Sequence, residues 1–120
     1  MGYSIPEFQQ LEKTVTSLKT MAELEALIQK EPVVIIDWTA SWCGPCKAIA
    51  PKFLKMSEIF QDVATFVKVD IDEFDEVPEE IQAVPTFHGL ANGKLVMEEC
   101  GGMKEAELRK FIEDTIAKKA

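Results

Sequence analysis

One histidine, three cysteines and no long apolar run set the first limits on this 120-residue chain. No stretch approaches the ~18 consecutive apolar residues that suggest a membrane-spanning helix. Met1-Gly2 is followed by Pro6, where a myristoylation signal wants Ser or Thr, so no lipid anchor is expected. The first residues lack the basic-then-apolar pattern of a secretory signal. They carry Glu7 and Glu12 and no arginine, which argues against a transit peptide. An odd number of cysteines without framework spacing points to a reducing compartment, so a cytoplasmic location is expected. Basic residues are outnumbered, 13 against 21 acidic, for a net charge of −8. That balance argues against nucleic acid and anionic membranes as partners. Zinc would have to draw on Cys43, Cys46, Cys100 and the lone His88 together. There is no second Cys-x-x-Cys and no His-x3-His, so no metal is expected.

What is present is ordinary for one globular domain: 47% hydrophobic and 28% charged residues. A chain of this length buries roughly two-thirds of its unfolded surface. Its centre is the stretch Asp37 to Lys47, Asp-Trp-Thr-Ala-Ser-Trp-Cys-Gly-Pro-Cys-Lys. The run Val33 to Ile36 enters it as a buried strand. Beyond Gly44 and Pro45 a helical period begins, with Cys46, Ile49, Ala50, Phe53, Ser57 and Phe60 on one stripe. Pro45 suits a first helical turn, where its missing N–H costs nothing. Cys43 then lies at a helix N-terminus, whose free N–H groups favour a thiolate, the reactive form of cysteine. Cys46 lies one turn in, on the buried stripe and within reach of Cys43. A purely structural cysteine pair is the plain alternative.

The rest of the chain alternates strands and helices. Residues 1–13 form an N-terminal extension. Ser4 and Glu7 have the form of a capping box there, giving either a short helix to about Glu12 or a loosely attached terminus. Residues 14–120 form the domain. Thr14 to Leu18 is a first strand. Thr20 and Glu23 are a second capping box, opening a helix through Met21, Leu24, Leu27 and Ile28 that stops at Glu31-Pro32. A third strand runs from Ala64 to Asp70, and a short helix is expected around Pro78 to Gln82. Pro85 to Leu90 and Leu95 to Cys100 are paired by the Asn92-Gly93 hairpin signal. A last amphipathic helix spans Lys104 to Ala117. This pattern predicts an α/β fold, a mixed sheet of about five strands with helices on both faces.

Trp42 to Lys47, Trp-Cys-Gly-Pro-Cys-Lys, is the redox motif of the thioredoxin family, and the chain resembles that family closely. The resemblance extends to Asp37, Pro51, Lys68, Asp72, Val84-Pro85-Thr86 and Gly101, over most of residues 14–117. It implies the thioredoxin fold and a protein-disulfide reductase acting through a redox-active Cys43–Cys46 disulfide, with no cofactor. Cys43 would attack a substrate disulfide and Cys46 would resolve the mixed disulfide. Asp37, ending an apolar strand and so desolvated, would take the proton of Cys46 through a water, with Lys68 nearby. Pro85 matches a cis proline packed against the cysteines. Trp42, Gly44, Pro45, Ile71, Ala83, Val84, Pro85 and Gly101 match a substrate-docking surface, although Ile71 and Val84 also suit plain core. The Gly-Pro pair between the cysteines implies a reductant rather than an oxidase or a domain of a larger isomerase. The implied partners are oxidised proteins and, as electron donor, a thioredoxin reductase or a ferredoxin-linked reductase, with the chain a monomer. A redox-dependent binding module or subunit with incidental catalysis would need the same surface.

Three residues depart from the family pattern. Trp38 stands where Phe is usual, and Gly89 where a large apolar residue is usual. The indole is therefore expected to fill the space that Gly89 leaves. Cys100 replaces a common aliphatic residue and reads either as an inert strand-end thiol or as a regulatory one.

Overall fold

The computed structural model describes residues 14–119; the expected helix before Glu12 lies outside them. The strands are β1 (Val15–Ser17), β2 (Val33–Thr39), β3 (Thr65–Asp70), β4 (Thr86–Ala91) and β5 (Lys94–Cys100). The helices are α1 (Met21–Lys30), α2 (Gly44–Phe60) and α3 (Glu105–Ala117). The strands form one sheet in the order β1-β3-β2-β4-β5. β1, β3 and β2 are parallel, while β4 and β5 run antiparallel. Helices pack on both faces, as the alternation of elements predicts.

Local signals act where they stand. Thr20 caps α1: its hydroxyl accepts the Glu23 N–H at 3.1 Å, and the Glu23 carboxylate accepts the Thr20 N–H at 3.1 Å. Such caps contribute about 1 kcal/mol each. Asn92 and Gly93 both take positive φ, 55° and 81°, as a tight two-residue hairpin turn requires. Two expectations are corrected. Residues around Pro78 to Gln82 make only one hydrogen-bonded turn, from Ile81 N–H to the Pro78 carbonyl at 3.0 Å. Val84 must be extended before Pro85, so too few residues remain to offset the cost of starting a helix. β2 also continues past Ile36 through Asp37 and Trp38 to Thr39, because its central position gives it partners on both sides. Asp37 is therefore inside the strand and not at its end.

Strand alternation assigns the residues of β2 to two cores. Val33 and Ile35 join Ile49, Phe53, Phe66, Phe87, Leu108 and Ile112 beneath α2 and α3. Val34, Ile36 and Trp38 join Leu24, Val67, Val69 and Leu90 beneath α1. Gly89 faces the first of these and Trp38 the second. A Cβ on Gly89 would lie 2.2 Å from Thr115 Oγ1 of α3. The expected pairing of Trp38 with Gly89 is thus overturned: the sheet lies between them, and α3 occupies the space beside Gly89.

Candidate active site

Cys43 and Cys46 are joined in a disulfide where β2 hands over to α2, with Cα atoms 5.2 Å apart. Cys43 is the N-cap of α2, with extended backbone, and Pro45 follows in the first turn. The Cys46 N–H points at Cys43 Sγ at 3.2 Å. Such a donor, together with the positive end of the helix N-terminus, favours negative charge on that sulfur over negative charge on Cys46. The sulfur of Cys43 also lies 3.6 Å from the Val84 carbonyl oxygen.

The segments around the pair complete its floor and rim. The Val84–Pro85 peptide is cis. Gly101, at φ 92°, donates its N–H to the Pro85 carbonyl at 2.8 Å, which ties the end of β5 to this loop. Ala40, Cys43 and Cys46 pack with the half-buried Ile71 and Val84. Trp42 is 65% exposed and is held by its indole N–H, which donates to Asp72 Oδ2 at 2.8 Å. Gly44 and Ala83 are exposed beside the pair's segments, and the Ala83 carbonyl accepts the Thr86 hydroxyl at 2.7 Å. Although Cys43 stands at the helix start, it is only 5% exposed, close to the 2% of Cys46, because Val84 and Ile71 pack against this cluster.

Asp37 and Lys68 lie on the α2 side of the sheet, paired in register across β2 and β3. Asp37 is buried, and its Oδ1 has no hydrogen-bond partner. Loss of hydration raises its pKa to about 7; the positive charge of Lys68 opposes that rise. Both residues line a cleft of about 460 Å³, together with Ser17, Lys47, Ala50 and Pro51. Pro51 sits inside α2 and offers no N–H to the Lys47 carbonyl one turn earlier. The cleft thus reaches the helix residue next to Cys46, although Cys46 does not line it.

Sequence reasoning missed the role of His88. The Trp38 indole N–H donates to His88 Nδ1 at 3.1 Å, and His88 Nε2 lies 2.9 Å from Glu98 Oε2. With Nδ1 accepting, the neutral ring carries its proton on Nε2 and donates it to Glu98. The two-residue turn alone would pair His88 with Met97; a register shift between Gly89 and Leu90 places it opposite Glu98, so no local sequence signal gave this pair. Among the described residues no cluster of His, Cys, Asp or Glu is arranged to hold a metal. His88 and Cys100 are both engaged elsewhere, Cys100 receiving the Thr86 hydroxyl at 3.7 Å.

Comparison with known proteins agrees with this geometry. The thioredoxin family model matches residues 14–114. A thioredoxin of Geodia cydonium is 46% identical over 102 residues, covering 82% of this chain and 95% of its own. Thioredoxin-3 of Dictyostelium discoideum is 47% identical over 96 residues, covering 78% and 89%. Among solved structures, mitochondrial thioredoxin 3 of Saccharomyces cerevisiae superposes with a TM-score of 0.77 at 33% identity, covering 87% of this chain and 98% of that one. A helix-capping cysteine bonded to a second cysteine one turn on, within a five-stranded mixed sheet, is the arrangement these relatives lead one to expect, and the chain belongs to the thioredoxin family of thiol-disulfide oxidoreductases.

Proposed function

We propose that Cys43 is the attacking thiol of this protein-disulfide reductase and Cys46 the resolving one. The observation that carries this order is the Cys46 N–H aimed at Cys43 Sγ at the start of α2, which stabilises charge on Cys43 and not on Cys46. The Cys43 thiolate attacks one sulfur of a substrate disulfide, forming a mixed disulfide and expelling the other sulfur as a thiolate. Cys46 then loses its proton and attacks Cys43 Sγ. The Cys43–Cys46 disulfide forms, and the second substrate sulfur leaves. Two electrons pass from the pair to the substrate. A thioredoxin reductase or a ferredoxin-linked reductase returns them.

Asp37 accepts the Cys46 proton through water in the cleft beside α2. Its pKa near 7 suits a group that must both take and release a proton at neutral pH. Lys68 moderates that pKa by its charge. Trp42, Gly44, Pro45, Ile71, Ala83, Val84, Pro85 and Gly101 form the docking surface for an extended segment of the oxidised substrate. The protein works as a monomer in the cytoplasm, as part of electron transport to protein disulfides.

Trapping tests the order of attack. Cys46→Ser, mixed with oxidised cell extract, should accumulate mixed disulfides through Cys43 that vanish on adding dithiothreitol. Cys43→Ser should trap at least tenfold less. Equal trapping by both variants would show that the roles are not distinct. No trapping by either, with partners retained non-covalently, would favour a redox-dependent binding module.

A further inference from the structure

The α1 face of the sheet is incompletely covered. The segment between β3 and β4 crosses it as turns and not as a helix. This leaves a cleft of about 490 Å³ between α1, the turn at Pro78 and the β4–β5 hairpin. Its lining includes Leu24, Ile28, Leu90 and Leu95, and Leu95 is 53% exposed. A large aliphatic side chain left half in water beside other apolar groups marks unfilled contact area. Carboxylates stand around it: Glu25 from α1, Glu80 from the turn and Glu98 from β5. Among the described residues lining the cleft, none is Lys or Arg. The cleft on the opposite face has the reverse character, with Lys47 and Lys68 against the single carboxyl of Asp37.

One wall of the acidic cleft is fixed in advance. His88 bridges the Trp38 indole in the core to Glu98 at the rim, so that carboxylate is held in place. Glu25 and Glu80 form no ion pair among the described residues. Three carboxylates around an apolar floor attract a cation whose body is apolar. The chain itself is a poor source of one. A second copy would bring another net charge of −8, and residues 1–13 carry Glu7 and Glu12 against Lys13 alone.

We infer that this cleft docks a short amphipathic segment of another protein, apolar on one side and bearing Lys or Arg on the other. Leucine-like side chains fill the floor over Leu90 and Leu95, and the basic groups meet Glu25, Glu80 and Glu98. This site is separate from the cysteine pair and does not depend on its redox state. It would let a partner be held while Cys43 remains open to substrate.

The test titrates the full-length, isotopically labelled protein with a synthetic ten-residue peptide of Leu at helical spacing and Lys elsewhere. A matched peptide carrying Glu for Lys is the control. The Lys peptide should shift the amides of α1 and of Leu95 to Glu98 saturably, in both the oxidised and the reduced protein. Combining Glu25→Gln, Glu80→Gln and Glu98→Gln should weaken binding at least tenfold, and Leu95→Ser should do so alone. Both variants alter exposed side chains, and their unperturbed spectra elsewhere report that they are folded. Removing the same charge at Glu58→Gln, Asp62→Asn and Glu113→Gln should leave binding within twofold. Equal binding of the Glu peptide, equal weakening by the distant triple, shifts confined to Trp42 and Cys43, or no saturable shift at millimolar peptide would each overturn the inference. Self-association that Leu95→Ser abolishes would assign the cleft to a second copy and overturn it too.

Discussion

Asp37 and Trp38 are neighbours in β2, equally buried at 2% exposure, and they face opposite sides of the sheet. Each takes a polar group into the interior, and the two interiors treat it differently. The indole N–H of Trp38 finds His88, which in turn meets Glu98, so every polar atom named in that chain is engaged. Asp37 Oδ1 finds nothing, and its carboxyl is pushed up to about 7. A satisfied buried group holds a structure together. An unsatisfied one costs free energy and persists only where something else requires it. In the proposed mechanism, what requires it is the proton of Cys46.

The largest expected effect tests the Asp37 side. Its folded pKa lies above its ordinary value of 3.8, so the proton is bound more tightly in the folded state. The stability it permits is complete below about pH 4 and is lost as pH rises to about 7. Above that window the charged carboxylate costs about 4 kcal/mol. Asp37→Asn should therefore stabilise the protein by up to that amount at pH 8 and hardly at all at pH 4, read as the difference in Tm against pH. The same change should slow insulin reduction at neutral pH. Unaltered turnover together with a pH-independent stability difference would remove Asp37 from the mechanism.

The Trp38 side should respond in the opposite direction. Trp38→Phe removes the indole N–H from His88 and opens space against Phe74, whose ring meets the indole edge-on at 5.6 Å. A loss of about 1–3 kcal/mol is expected in urea denaturation. A variant as stable as the parent would show that the Trp38–His88–Glu98 chain holds nothing together.

Next in size is Gly89→Ala, which brings a methyl group against Thr115. It should destabilise by about 1–3 kcal/mol, and Thr115→Ala should recover most of the loss. Combined with Trp38→Phe the effects should add within about 0.5 kcal/mol, because the two residues pack in different cores. A coupling well above that value would mean that the sheet transmits strain between its faces.

The smallest effect is expected at the rim. Glu98→Gln keeps an oxygen for His88 Nε2 and should change stability by less than about 0.5 kcal/mol. A larger loss would show that the charge of Glu98, and not only its hydrogen bond, orders the Trp38 wall.

Features of this protein that depend on a few consecutive residues could be read from its amino acids. Thr20 with Glu23, Asn92 with Gly93, and Trp42 to Lys47 each act over two to six positions, so chain order alone brings their atoms together. The amphipathic period located α2 and α3, and the motif around Cys43 identified the site. The cis state of the Val84–Pro85 bond followed from family resemblance alone, since only about 5% of X-Pro bonds in folded proteins are cis. Tertiary structure decided the rest, because the deciding contacts join residues far apart in the chain. His88 meets Trp38 across 50 positions, and Thr115 closes the space beside Gly89 that Trp38 was expected to fill. The isolation of Asp37 depends on what β3 and α2 fail to offer it, which no local pattern encodes. The cleft over Leu95 is bounded by α1, the turn at Pro78 and the β4–β5 hairpin, which are far apart in the chain and are brought together only by the packed sheet.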